Sequence, residues 1–290
     1  MDITQLPRPV GFVLTGGASN GATQAGMLRA LQEAGASPDL VAGTSVGALN
    51  GAVVAEDPDL GAARLLGIWS DLETSDVFTD GLITRLRNLV GARRYLYSGR
   101  GLRRFAAGHL RATTFGDLRL PFVAVATDVL GGHAVSLSNG SLIDAVSASA
   151  AIPGVLPNVE IDGRLLMDGG VVANAPVDAA LAMGAASLVV LDAGYACHLT
   201  DPPRHAAARI LHPTSVMIRR QVEIQVLEAA ERVPVVAMPP LCPLRTSPLD
   251  FSHASDLIAK AYDSSRAFLA ELEVAGIGLH GKLHNHAAPA

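Results

Sequence analysis

Ser45 stands between two glycines in Gly43-Thr44-Ser45-Val46-Gly47, a G-x-S-x-G pattern. A short apolar run, Leu40-Val41-Ala42, precedes it, and a helix-compatible run from Ala48 to Ala55 follows. Strand, sharp turn and helix in that order are what a nucleophile elbow requires. A side chain at Gly43 or Gly47 would collide with the neighbouring strand or helix. The helix beginning just after the serine points its first N–H groups toward the reaction site. The chemistry is nucleophilic attack by a hydroxyl, with a covalent intermediate.

Two further stretches carry residues suited to that chemistry. The first is Gly16-Gly17-Ala18-Ser19-Asn20-Gly21, after an apolar run ending at Thr15. Its glycines leave backbone N–H groups unobstructed and turned toward an anion at a helix start. Such a loop fits a phosphate group or the oxyanion of an acyl intermediate. No Gly-Lys-Ser/Thr follows, so the Walker pattern fails. Ala18 occupies the middle glycine position of G-x-G-x-x-G, so the dinucleotide fingerprint fails too. The second stretch is Asp168-Gly169-Gly170, after the apolar residues Leu165 to Met167. Taken alone, Asp168 is a turn aspartate bonding its own following amides; beside a serine nucleophile it is also a candidate base. The histidines offer no better one. His109 and His133 fall in ill-defined loops, His198, His205 and His212 surround a proline-containing segment, and His280, His284 and His286 crowd the C-terminal end.

The elements that must position these groups alternate between strand and helix. Residues 10–15, 40–43, 122–127 and 187–192 are apolar runs of strand length, and 233–238 is another, read as an edge strand because of Pro234. Helical patterns cover 21–34, 48–55, 59–72, 142–150, 177–184, 205–231 and 253–274. Continuous apolar strands separated by helices predict a three-layer α/β/α sandwich with a central, mostly parallel sheet. One domain over residues 8–275 is expected, with a flexible tail over 276–290.

Composition bounds the rest. The 290 residues are 49% hydrophobic but only 4% aromatic, so Ala, Val, Leu and Ile must build the core. A formal charge of -5 argues against bulk nucleic-acid binding. No secretory signal and no run long enough to span a membrane are visible, so a cytoplasmic protein is expected. Cys197 and Cys242, far apart in sequence, read as free thiols. No cofactor is implied, and no acidic loop has the ligand spacing for calcium. Seven arginines fall between Arg85 and Arg104, mixed with leucines, tyrosines and Phe105. They form either a solvated helix face or a basic amphipathic cap for a peripheral contact with anionic lipid headgroups.

In order and spacing, the three motifs together resemble the patatin-like phospholipases. Ser147-Ala148-Ser149-Ala150-Ala151-Ile152-Pro153-Gly154, and Asn174 with Pro176, extend the likeness over roughly residues 9–195. The resemblance implies a lipid ester or phospholipid substrate, with Ser45 as nucleophile and Asp168 as base in a dyad without histidine. It also implies an oxyanion hole at Gly16, Gly17 and Ala18, with Gly21, Gly43, Gly47, Gly169 and Gly170 as motif glycines. Relatives commonly carry a third glycine and an arginine where this chain has Ala18 and Asn20. Three other readings stay open: a Ser-His-Asp hydrolase using Asp168 or Asp192, a transacylase, and a non-catalytic lipid-binding relative.

Overall fold

The structure, a computed structural model, describes residues 2–77, 95–194, 206–242 and 250–283. The strands are β1 (Val10–Leu14), β2 (Leu40–Thr44), β3 (Phe122–Asp128), β4 (Ala134–Leu137), β5 (Val159–Ile161), β6 (Arg164–Asp168), β7 (Ser187–Leu191), β8 (Pro234–Ala237) and β9 (Gly278–Gly281). The helices are α1 (Ala22–Glu33), α2 (Val46–Glu56), α3 (Gly61–Asp71), α4 (Thr74–Val77), α5 (Arg100–His109), α6 (Leu142–Ser149), α7 (Val177–Ala182), α8 (Ala206–Ala230) and α9 (Ala254–Glu271). The strands form one sheet in the order β5-β6-β3-β2-β1-β7-β8-β9, with β4 also paired to β3. The five pairings from β3 through β2, β1, β7 and β8 to β9 are parallel, and those of β3 with β4, β3 with β6 and β5 with β6 are antiparallel.

Alternation along the strands sorts their side chains to two faces, as the twofold repeat of a strand requires. Phe12, Leu14, Val41, Val189 and Leu191 pack into one core with residues of α1, α2, α3 and α9. Val13, Ala42, Val123, Val125, Leu188 and Val190 pack into the other with α7 and α8. Most of these side chains are fully buried, and burying one Leu or Phe contributes about 1.5–3 kcal/mol. The three-layer α/β/α expectation with a mostly parallel sheet holds, the antiparallel pairings being those that involve β4, β5 and β6.

Two details of the strand assignment differ from expectation. β8 is interior, lying between β7 and β9. Pro234 is tolerated because it is the first residue of its strand, where a missing N–H costs least. Gly278–Gly281, expected in a flexible tail, forms β9 and pairs in parallel with β8. Residues 284–290 lie outside the described residues.

Candidate active site

Register alone explains why Asp168 meets Ser45 across 123 positions of sequence. A strand has two edges. β2 pairs with β3 at residues 122–125, while β4 pairs with 124–127, so these two occupy opposite edges of β3. β6 pairs with residues 126–128, overlapping β4, so it takes the edge that β2 leaves free. Thr44, the last residue of β2, is partnered by Val125, and Asp168, the last of β6, by Ala126. The two strands therefore approach each other end to end along one edge of β3, C-terminus facing C-terminus. Ser45 and Asp168 sit at the gap between them.

At that gap the chain makes the sharp turn anticipated from the glycines. Ser45 has φ 56° and ψ -125°, a strained conformation costing about 1–3 kcal/mol, held by the strand before it and α2 after it. Its N–H donates to Ser149 Oγ (2.9 Å), which in turn donates to the Val125 carbonyl (2.5 Å). A Cβ at Gly43 would lie 2.3 Å from the Gly47 carbonyl oxygen, and one at Gly47 only 2.2 Å from that of Leu14. α2 and the adjoining strands thus approach to a distance only glycine permits.

Ser45 Oγ donates to Asp168 Oδ2 at 2.7 Å. The other carboxylate oxygen accepts from the Gly170 N–H at 2.8 Å, the turn contact expected of an Asp-Gly-Gly sequence. Both side chains are buried, each residue only 7% exposed. Burial pushes the Asp168 carboxyl up to about 6, against the two hydrogen bonds, from Ser45 and Gly170, that favour the ionised form. Among the described residues, His109 is engaged with the Phe105 carbonyl, His280 with that of Gly276, and His253 lies 3.5 Å from Asp250. Asp192 accepts from Thr15 Oγ1 and the Gly194 N–H, on the side of the glycine loop.

The glycine loop borders the same gap. A Cβ on Gly16 would meet Asn174 Oδ1 at 2.5 Å and Ser45 Cβ at 3.0 Å, and one on Gly17 would meet Ala193 Cβ at 2.6 Å. Gly21 is pressed in the same way against Val46, Gly169 against the Val125 carbonyl and Gly170 against Asn174 Oδ1. Ala18 takes a left-handed φ of 50° despite its β-carbon. Asn20 is buried and donates to the Gly194 carbonyl (3.1 Å), so it ties the loop down by a hydrogen bond without charge.

Ser45 and Ala18 open onto a pocket of about 580 Å³, mouth included, whose walls are almost entirely apolar. Leu49, Ile68, Leu72, Leu102, Phe105 and Ile152 line it, and Trp69 and Phe251 stack with centroids 6.1 Å apart in its wall. One polar side chain, Asn50, interrupts this lining from within a buried network. It donates to Gln24 Oε1 (2.8 Å) and the Gly21 carbonyl (3.0 Å) and accepts from the Trp69 indole (3.1 Å). Gln24 donates to the carbonyls of Thr15 and Leu191 (2.9 and 3.0 Å). The network therefore grips both ends of the glycine loop. Sequence reading missed Gln24, Asn50 and the structural part of Ser149; polar residues inside otherwise apolar helices were the available signal.

Among the described residues, no group of three or more His, Cys, Asp or Glu could hold a metal ion, and no helix is long and apolar enough to cross a membrane. Of the arginine-rich segment 85–104, Arg85, Arg87, Arg93 and Arg94 lie outside the described residues. Arg103 pairs with Asp144, and Arg100 donates to Ser98 Oγ at 3.3 Å. Cys242 is disulfide-bonded, correcting the free-thiol reading; Cys197 lies outside the described residues. Distance in sequence misled here.

A sequence profile of the patatin-like phospholipase family matches residues 12–181. The chain is 34% identical over 188 residues to mouse patatin-like phospholipase domain-containing protein 7, an alignment covering 64% of this chain and 14% of that one. It is 32% identical over 188 residues to the Drosophila melanogaster neuropathy target esterase sws, covering 64% of this chain and 13% of that protein. The chain thus spans only a small part of these relatives. Among solved structures, VipD from Legionella pneumophila superposes with a TM-score of 0.54 at 16% identity, over 91% of this chain and 67% of that one, a likeness of fold. The profile covers all three motifs, from the glycine loop through the Ser45 elbow to the Asp168 turn, and this chain belongs to the patatin-like phospholipase family.

Proposed function

We propose that the protein is a serine acyl hydrolase acting on lipid esters, of the phospholipase A or lysophospholipase type, with Ser45 as nucleophile and Asp168 as general base. The observation that carries this reading is the 2.7 Å hydrogen bond from Ser45 Oγ to a buried carboxylate at the edge of an apolar pocket. Ser45 Oγ attacks the ester carbonyl carbon while its proton passes to Asp168 Oδ2. The N–H groups of Gly17 and Ala18, with that of Val46 at the start of α2, hold the oxyanion. Collapse of the tetrahedral intermediate expels the alcohol, which takes the proton from Asp168 and leaves an acyl-Ser45 ester. Water then attacks that ester, Asp168 again accepts the proton, and the released serine oxygen recovers it.

Two features support a carboxylate working without histidine. Its raised pKa makes Asp168 a stronger base than an exposed aspartate, yet leaves it mostly ionised at neutral pH. The pocket walls suit an acyl chain and have almost no polar group to offer a sugar or a peptide. Peripheral contact with anionic headgroups through residues 85–104 belongs to the same reading; vesicle binding that rises with anionic lipid and falls with salt is the expected result. The test of the chemistry is hydrolysis of p-nitrophenyl acyl esters by the wild type, Ser45→Ala, Asp168→Asn and each histidine→Ala variant. Loss in the first two variants and retention in the histidine series is expected. Full activity in Asp168→Asn, with loss in one histidine variant, overturns the dyad.

A further inference from the structure

We infer that Gln221 and Gln225 on α8 are positioning residues for the reaction centre, acting through the turn that follows Asp168. This rests on the dyad reading above and extends it to a part of the chain beyond residue 181, where the family profile ends. Gln221 accepts from the Asn174 N–H (3.1 Å) and donates to the Val171 carbonyl (3.2 Å). Gln225 accepts from the Ala175 N–H (3.2 Å) and donates to the Val172 carbonyl (3.1 Å). Each carboxamide closes on an N–H and on the carbonyl three residues earlier. Two glutamines four apart, one helical turn, grip sites one residue apart. Together they satisfy four backbone groups of the single 3-10 turn Gly169–Val171 and the irregular residues that follow it.

The gripped segment touches both flanks of the gap. Its Ala173 carbonyl accepts from Thr44 Oγ1 (2.8 Å), on the residue before Ser45. Its Asn174 carbonyl accepts from the Gly16 N–H (3.4 Å) in the glycine loop, and Asn174 Nδ2 donates back to the Gly16 carbonyl (3.4 Å). Its first residues are Gly169 and Gly170, the latter donating to Asp168 Oδ1. The same few residues thus join base, nucleophile strand and oxyanion loop. α8 can anchor them because Val222, Val226 and Ala229 bury its neighbouring face against the sheet. Gln221 and Gln225 are only partly buried, so a core role does not account for them.

The test replaces each glutamine with methionine, which keeps length and volume but loses both hydrogen bonds. Steady-state hydrolysis of a p-nitrophenyl acyl ester is read alongside thermal melting and the extent of fluorophosphonate labelling, for the wild type and each variant. Expected is a fall in kcat of about 10-fold for each single variant and about 100-fold for the double, as for slight misplacement of reacting groups, with KM within about twofold. A purely structural role would lower Tm and leave kcat per labelled site unchanged. If the double variant loses its cooperative melt, the singles carry the test. A single variant whose kcat stays within twofold of wild type overturns the assignment for that residue. Wild type that neither hydrolyses the ester nor labels at Ser45 overturns the dyad reading instead, so the two failures are distinct.

Discussion

In the proposed mechanism Asp168 has both to accept a proton and to survive burial as a charged group. Desolvation supplies the first at the expense of the second, and hydrogen bonds from Ser45 and Gly170 limit the conflict. A base that must be ionised, with a pKa of about 6, sets the acid limb of kcat/KM. The profile should fall about tenfold per pH unit below 6, whereas an ordinary exposed aspartate would place the limb near 4. A limb near 4, or one near 7 that vanishes in a histidine variant, contradicts the assignment. Ser45 was legible from its two glycines, because close backbone approach leaves a clear compositional trace. The hydrogen bonding of Ser149 was not, because a serine at the end of a helix looks like any other.

The pocket belongs to the elements rather than to any one residue, since α2, α3, α4, α5 and the segment after α6 each contribute a wall. Ile152 is only partly buried in that lining and tolerates change better than the core positions do. Ile152→Trp should narrow the pocket and lower kcat/KM for a long-chain p-nitrophenyl ester at least about tenfold, in line with a few kcal/mol of steric cost. The acetate ester should change less than about threefold. Equal losses for both chain lengths would show that the acyl chain lies elsewhere. Among the elements, β1, β2, β3 and β7 were readable because fully buried parallel strands are continuous apolar runs. The β5–β6 hairpin was not read, although Asp162-Gly163 advertises it. Both residues have positive φ (51° and 74°), and the flanking Ile161 and Arg164 are paired, the geometry of a two-residue hairpin turn. That hairpin delivers Asp168.

At the scale of the whole molecule, a buried carboxyl with a raised pKa is a stability cost that depends on pH. The folded-state value of about 6 exceeds the ordinary 3.8, so the folded protein binds the Asp168 proton more tightly than the unfolded chain. Its stabilising contribution is full below about pH 3.8 and is lost as pH rises through 6, a swing on the order of 3 kcal/mol. Asp168→Asn removes that ionisation. Its Tm should exceed the wild-type value at pH 8, and the advantage should shrink steadily as pH falls toward 4. A Tm difference that does not vary with pH would remove Asp168 as the buried titrating group. Fold class and layering were readable from the alternation of strands and helices. The strand at Gly278–Gly281 was not, because it depends on which chain ends the sheet order brings together.

The central claim, a serine activated by a carboxylate, is tested most directly by identifying the residue that a fluorophosphonate modifies. Peptide mass spectrometry after labelling should place the adduct on Ser45 in the wild type and show labelling slowed at least about 1000-fold in Asp168→Asn, the scale of losing a catalytic base. An adduct on another residue, or labelling of Asp168→Asn at the wild-type rate, contradicts it.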